Sequence, residues 1–269
     1  ILNIIGLLIC IEAVAMLIPM FFDLYYGNYD WLQFFYSSLI SFFIGIILYF
    51  SFRKKNIKLG IRQAFLLTIS SWLVISIFGA IPFVYSSSSL SYTDAFFESV
   101  SGITTTGSTV ISNLDNLSQG ILIWRSLLQW FGGIGIIVLA MAILPTLQIG
   151  GMQLLHMEHD DPYEKTIPKV KRFVIELFLL YVSLSIICGF LYYISGMKVF
   201  DSIIHAMTTI STGGFSNYDQ SFSYFNSFQI EIVSVIFMLV GSLPFVLYLQ
   251  FIHSQKKLIF KDDQIKLFF

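Results

Sequence analysis

Thr104-Thr105-Thr106-Gly107 and Ser211-Thr212-Gly213-Gly214 are two runs of small, mostly hydroxylated residues that close on glycine. They carry no acid, base or strong nucleophile, so bond-breaking chemistry is not what they offer. They do offer neutral oxygens: hydroxyls and backbone carbonyls. Rings of backbone carbonyls can replace the hydration shell of a potassium ion. Glycine helps here because it adopts backbone angles that a side chain resists. Each run follows an apolar segment opening on aspartate, Asp94 to Ile103 and Asp201 to Ile210. As helices these reach only ~15 Å, about half of a ~30 Å hydrocarbon layer. Aspartate suits the positive N-terminal end of each helix, and the negative C-terminal end faces the glycine-terminated run, where a cation is favoured. A single such run is a common polar turn. Two runs at the same offset of 107 residues, each after a half-length apolar helix, are not explained as turns.

Other candidates are weaker. Arg125 opens an apolar stretch at a depth similar to Glu98. It either ties to Glu98 and supports the outer vestibule, or snorkels to water as an interfacial arginine. Gly132, Gly133 and Gly135 read as close helix packing by small residues rather than a hinge. Of Glu12, Glu176 and Glu231, only Glu12 looks deep, and its bland explanation is a helix–helix hydrogen bond. His156 and His159 are three residues apart in a polar segment near Pro162 and Pro168, which reads as a solvated linker and not as zinc ligands. Cys10 and Cys188 sit in apolar runs and read as small hydrophobes. There is no nucleophile–base constellation and no phosphate-binding loop, so no enzyme activity is expected.

The elements that must position these residues follow from composition. Of 269 residues, 56% are hydrophobic and only 12% charged, against about 25% charged in soluble domains. This excludes a water-soluble globule, a disordered chain and a nucleic-acid binder with a basic face. Six stretches are long and apolar enough to span: 1–22, 31–52, 62–85, 121–147, 172–195 and 227–252. The predicted class is an all-α integral membrane protein with six transmembrane helices and two re-entrant pore helices. Thirteen of the 15 Lys and Arg residues fall in 53–62, 165–172 and the tail after 252. Six spans put those segments on one face, which the positive-inside rule makes cytoplasmic, along with the N-terminus.

Residues 62–147 and 172–252 both read span, half-helix, irregular segment, span, and both start on the same face. They are therefore parallel repeats after an N-terminal hairpin. Many secondary transporters instead carry inverted repeats with broken helices. Parallel units of this kind resemble a quarter of a potassium-channel pore.

The string from Asp94 through Thr109 resembles the first pore loop of the Trk/Ktr/HKT potassium-transporter superfamily, TrkH branch. So do Leu128-Gln-Trp-Phe-Gly-Gly-Ile-Gly, Ala142-Ile-Leu-Pro145 and Gly150-Gly-Met-Gln153, and Ser211 to Ser216 resembles the second pore loop. The resemblance implies potassium uptake, with potassium as substrate, no cofactor, and potassium held by Thr105, Thr106, Gly107, Thr212, Gly213 and Gly214. Thr104 and Ser211 belong to the same filter segments. It implies four pore units per subunit, homodimers of full-length subunits among membrane lipid, and a cytosolic TrkA-like nucleotide-binding regulatory subunit. It also implies a multi-pass protein of the bacterial inner membrane. In the family the filter glycine separates potassium-selective members from sodium-permeable plant relatives with serine. Gly107 and Gly214 match that position, with Gly213 one residue away.

On this reading 1–52 is the hairpin, 53–147 the first pore repeat and 148–168 a cytoplasmic linker. Residues 169–253 are the second pore repeat, and 254–269 lead to a missing third. The chain begins without Met and reads as the first half of a subunit, supplying two of four filter segments. One rival is a secondary transporter that binds a small polar solute at broken helices. The other is an intramembrane metallohydrolase using His156 and His159.

Overall fold

A computed structural model describes residues 1–53, 61–147 and 166–252. Among them every regular element is helical. The α-helices are α1 (Leu2–Ala15), α2 (Leu17–Tyr26), α3 (Trp31–Ser51), α4 (Ile61–Gly79), α5 (Ile81–Tyr85), α6 (Tyr92–Ile103), α7 (Gln119–Leu147), α8 (Thr166–Ile194), α9 (Val199–Ile210), α10 (Phe228–Ser242) and α11 (Phe245–Ile252). Short 3₁₀ turns cover Leu114–Asn116 and Ser221–Phe225. The polar segment with His156 and His159, residues 148–165 of the expected 148–168 linker and the basic tail lie outside the described residues, while Thr166–Pro168 already belong to α8.

Prolines set several breaks. Pro19 has no N–H to donate to Ala15, and the first apolar run divides into α1 and α2 at Met16. Pro82 has the same effect between α4 and α5. Among the described residues four stretches are long and apolar enough to cross a membrane: Leu2–Tyr26, Trp31–Ser51, Arg62–Tyr85 and Arg172–Ile194. The shortest, 21 residues, spans ~32 Å as a helix. The sixth expected span, 227–252, is not one helix. Leu243 is extended because Pro244 disfavours helical backbone in the residue before it, so α10 ends after 15 residues and α11 starts afresh. The two half-helices are 12 residues each and begin two positions before the predicted aspartates.

The chain divides into two compact units, Ile1–Gly133 with Gly213–Asn226, and Ile134–Thr212 with Ser227–Phe269. In the first, α1 lies along α3, and α6 rests against α4 and α5. Small residues bring α1 and α3 together: a Cβ on Gly6 would stand 2.7 Å from the Gly45 carbonyl oxygen. Such close approach is how helices associate where lipid removes the hydrophobic drive. Ser38 adds a hydrogen bond to the Ala13 carbonyl at 2.6 Å. Large apolar side chains such as Leu7, Ile11, Phe43 and Ile47 point outward, while Ser37, Ser38 and Ser41 are buried. That inversion suits a lipid solvent. In the second unit α9 packs on α8 and α10, and α11 on α8.

Two acids in the α2–α3 region fix the start of α7. Asp23 accepts from the Gly120 N–H at 2.7 Å and from Asn28 at 3.0 Å. Asp30 accepts from the Ser87 N–H, the Ser87 hydroxyl and the Ser118 hydroxyl. Carboxylates are favoured at a helix N-terminus, where unpaired N–H groups and the helix dipole both attract them. Glu12 does not make the expected helix–helix hydrogen bond: it is 5% exposed, and neither carboxyl oxygen has a partner among the described residues. Glu176 pairs with Arg172 at 2.9 Å on the surface. Asp30→Ala should lower the stability of the full-length protein by about 2–4 kcal/mol, since three donors lose a charged acceptor. Thermal unfolding in detergent measures it, and an unchanged midpoint would contradict the anchoring role.

Candidate functional site

The first half-helix, α6, opens with a cap. The Ser91 hydroxyl accepts from the Asp94 N–H at 3.2 Å and donates to the Asp94 carboxylate at 2.7 Å. At its other end the chain turns sharply. Thr105 takes the left-handed conformation, φ +57°, and its N–H donates to the Gly102 carbonyl while the Thr106 N–H reaches back to Ser101. That pair of bonds is the Schellman closure, usually built on glycine. Gly107 follows at φ +79°, where only glycine is unstrained. The Ser101 hydroxyl donates to the Ser108 carbonyl at 2.5 Å and pins the segment from behind.

The second copy repeats this backbone at the same offset. Thr212 has φ +55° and Gly214 φ +77°. The Thr212 N–H donates to Thr209, and the Ser211 N–H to Met207, as Thr105 and Thr104 do to Gly102 and Val100. The glycine framework repeats too. A Cβ on Gly132 would overlap the Ile103 carbonyl oxygen and lie 3.2 Å from the Thr105 methyl. A Cβ on Gly241 would lie 2.8 Å from the Ile210 carbonyl oxygen and 3.3 Å from the Thr212 methyl. Gly132 is thus a packing glycine, which lets α7 touch the end of α6. Of the predicted filter residues, Thr104, Thr106, Thr212 and Gly214 are exposed, Thr105 and Gly107 half-buried, and Ser211 and Gly213 buried. The Gly213 carbonyl oxygen abuts Gly107 so closely that a Cβ there would overlap it. By φ, Gly214 and not Gly213 is the counterpart of Gly107.

Behind these segments stands a buried ion pair. Glu98 is 0% exposed and Arg125 1%, with Arg125 Nε 2.7 Å from Glu98 Oε1. The geometry decides between pairing and snorkelling in favour of pairing. Arg125 Nη1 donates to the Ser216 carbonyl at 2.9 Å and Nη2 to the Thr109 hydroxyl at 3.1 Å. The guanidinium carbon lies 4.2 Å from the centre of the Phe215 ring. Glu98 also accepts from the Thr109 hydroxyl and, at 3.1 Å, from the Val110 N–H. One arginine therefore joins α6, the exit of the first segment and the exit of the second.

Three residues here had no role assigned from sequence. Asp219 accepts from the N–H groups of Asn113 and Leu114, both at 3.0 Å, tying the two exits together further out. Thr109 bridges Glu98 and Arg125. Gln129, fully buried on α7, accepts from the Phe215 N–H at 3.1 Å. A glutamine in mid-span was the available signal, since polar residues inside a membrane are rarely idle. The oxygens of the site suit a desolvated monovalent cation. Among the described residues no cluster of His, Cys, Asp and Glu could hold a metal ion.

The sequence model for the family TrkH, described as cation transport protein, matches residues 32–268. The Trk system potassium uptake protein TrkH of Vibrio parahaemolyticus is 39% identical over 100% of this chain and 56% of its own length. TrkI of Halomonas elongata is 38% identical over 99% of the chain and 54% of its own. TrkH of Escherichia coli K12 is 39% identical over 99% and 56%. The crystal structure of the potassium transporter TrkH from Vibrio parahaemolyticus superposes with a TM-score of 0.89 at 38% identity, covering all of this chain and 55% of that one. The chain spans about half the length of the curated relatives it matches.

The ion pair generates a double-mutant test. Removing one partner of a buried pair strands the other charge and costs about 3–5 kcal/mol. Glu98→Gln and Arg125→Gln should each destabilise the full-length protein to that extent, and the double variant little more than the worse single. Additive losses in thermal unfolding would contradict the pairing.

Proposed function

The chain belongs to the TrkH family of cation transport proteins, a family of transporters and not of enzymes, and from that membership we propose that it conducts potassium through a channel-like pore. Residues 104–107 and 211–214 supply two of four filter segments that coordinate the ion through backbone carbonyls. Six spans and two re-entrant pore helices carry them, arranged as two parallel repeats after the N-terminal hairpin. One observation carries the reading. Two segments 107 residues apart share the same unusual backbone, left-handed at Thr105 and Thr212 and again at Gly107 and Gly214. A solitary polar turn has no reason to recur with the same dihedrals after two half-length helices. Left-handed threonine is costly, so a constraint beyond local propensity holds it.

Each half-helix ends at its filter segment, and its C-terminal partial negative charge favours a cation there. Neutral carbonyls replace water around the ion and still release it, whereas a carboxylate at the same place would hold it. Glu98 does not serve as a ligand, because its oxygens are spent on Arg125, Thr109 and Val110. The membrane potential drives passive uptake, about 2.3 kcal/mol per charge per 100 mV. In this proposal full-length subunits form homodimers in the lipid of a bacterial inner membrane, with the N-terminus cytoplasmic. A TrkA-like nucleotide-binding subunit docks on the cytosolic face. The clustering of Lys and Arg in three segments supports that orientation.

Gly107→Ser in the full-length subunit is the test. Serine resists φ +79° and cannot fit beside the Gly213 carbonyl, so the segment must rearrange. Sodium flux relative to potassium should rise by about tenfold, equivalent to about 1.4 kcal/mol of lost discrimination. A variant that keeps the wild-type preference in flux assays would refute the filter assignment.

A further inference from the structure

We infer that Gln129 is a positioning residue for both filter segments, and that position 213 must be glycine because of this side chain; the inference rests on the filter assignment above. The observation concerns two neighbouring glycines with different reasons to exist. Gly214 has φ +77°, so its backbone alone calls for glycine. Gly213 is not among the residues of positive φ, so its φ does not call for glycine. What excludes a side chain at 213 is space. A Cβ there would overlap Gln129 Cδ and stand 2.5 Å from Oε1 and 2.7 Å from Nε2. The carboxamide of Gln129 thus lies flat against the Gly213 Cα.

The same carboxamide reaches the first segment. Its Nε2 is 3.7 Å from where a Cβ on Gly107 would sit, and the Gly213 carbonyl also abuts Gly107 there. One residue beyond Gly214, the Phe215 N–H donates to Gln129 Oε1 at 3.1 Å. Gln129 therefore brackets Gly213–Gly214 from both ends, by contact at 213 and by hydrogen bond at 215. Its own position is fixed because it is fully buried on α7, one helical turn from Arg125. Nε2 has no acceptor among the described residues. A buried amide left half-satisfied is unfavourable, and such groups usually persist for a reason other than stability. Here the reason is the shape and the Oε1 acceptor that α7 presents to the filter. Gln129 does not touch the ion. It sets where the carbonyls around Gly213 stand relative to Gly107, and so bears on which cation fits.

Because the contact is steric, it predicts an allele-specific rescue. Wild type, Gly213→Ala, Gln129→Ala and the double variant are made in the full-length subunit. Potassium-over-sodium preference is measured by flux into proteoliposomes, normalised to protein inserted. Gly213→Ala should lose about tenfold in preference as the alanine methyl collides with the carboxamide, and Gln129→Ala should lose severalfold. The double variant should recover to the level of Gln129→Ala, because the collision is gone. Gln129→Met, which keeps the bulk and loses Oε1, covers the case in which the truncated forms fail to insert, and it should also lose preference severalfold. A double variant no better than Gly213→Ala, or wild-type preference in Gln129→Met, overturns the inference. Gly107→Ser measured alongside separates the two levels. If it too keeps wild-type preference the filter assignment itself has failed, and if it loses preference while the Gln129 forms do not, only the role of Gln129 has.

Discussion

The first unit is organised around a guanidinium that has left water. Arg125 is 1% exposed, and all three of its nitrogens are committed: Nε to Glu98, Nη1 to the Ser216 carbonyl, Nη2 to the Thr109 hydroxyl. A charge at that depth is tolerable only when its donors are all met with good geometry. Each acceptor comes from a different part of the chain, so satisfying the arginine fixes three segments at once. Glu98 holds α6 in register with α7, Thr109 fixes the exit of the segment 104–107, and Ser216 fixes the exit of the segment 211–214. The anchoring continues up α7: Asp23 and Asp30 hold its N-terminus, which keeps Arg125 at the required height.

The two proposed repeats share a backbone but not this device. In the second repeat His205 stands where Glu98 stands in the first, and its Nδ1 lies 2.8 Å from the Asp201 carbonyl of its own helix. The register set by Gly132 and Gly241 places Ser234 at the position of Arg125. What the repeats keep is the half-helix of 12 residues, the left-handed threonine and glycine, and a glycine on the following helix that admits the last carbonyl of the half-helix. These shared features are backbone geometry. The features that differ are the side chains that hold it. A function resting on carbonyl position needs the former to recur and leaves the latter free to vary.

Much of this was legible in the sequence, because lipid makes the rules simple. Apolar runs of spanning length, two half-length segments and the offset of 107 residues all lie on the surface of the text, and the helices appear where those runs predict them. What could not be read is tertiary. The carboxylates of Asp219 and Asp30 have no partner nearby in sequence, yet one caps Leu114 across 105 residues and the other reaches Ser118 across 88. No local pattern encodes such partners. Gln129 stands inside a quoted motif, but its role depends on Gly213, 84 positions on and brought near by folding. The interruption of the helix within 227–252 has a local cause that hydropathy ignores, the proline at 244.

In the proposed filter, neutral backbone oxygens and not carboxylates hold the ion. Anomalous diffraction from the full-length protein crystallised with rubidium in place of potassium tests it most directly. Peaks are expected beside the carbonyl oxygens around Thr106 and Gly107 and around Gly213 and Gly214, with none at Glu98. Peaks confined to acidic side chains such as Glu12 or Asp219, with the filter segments empty, would contradict it.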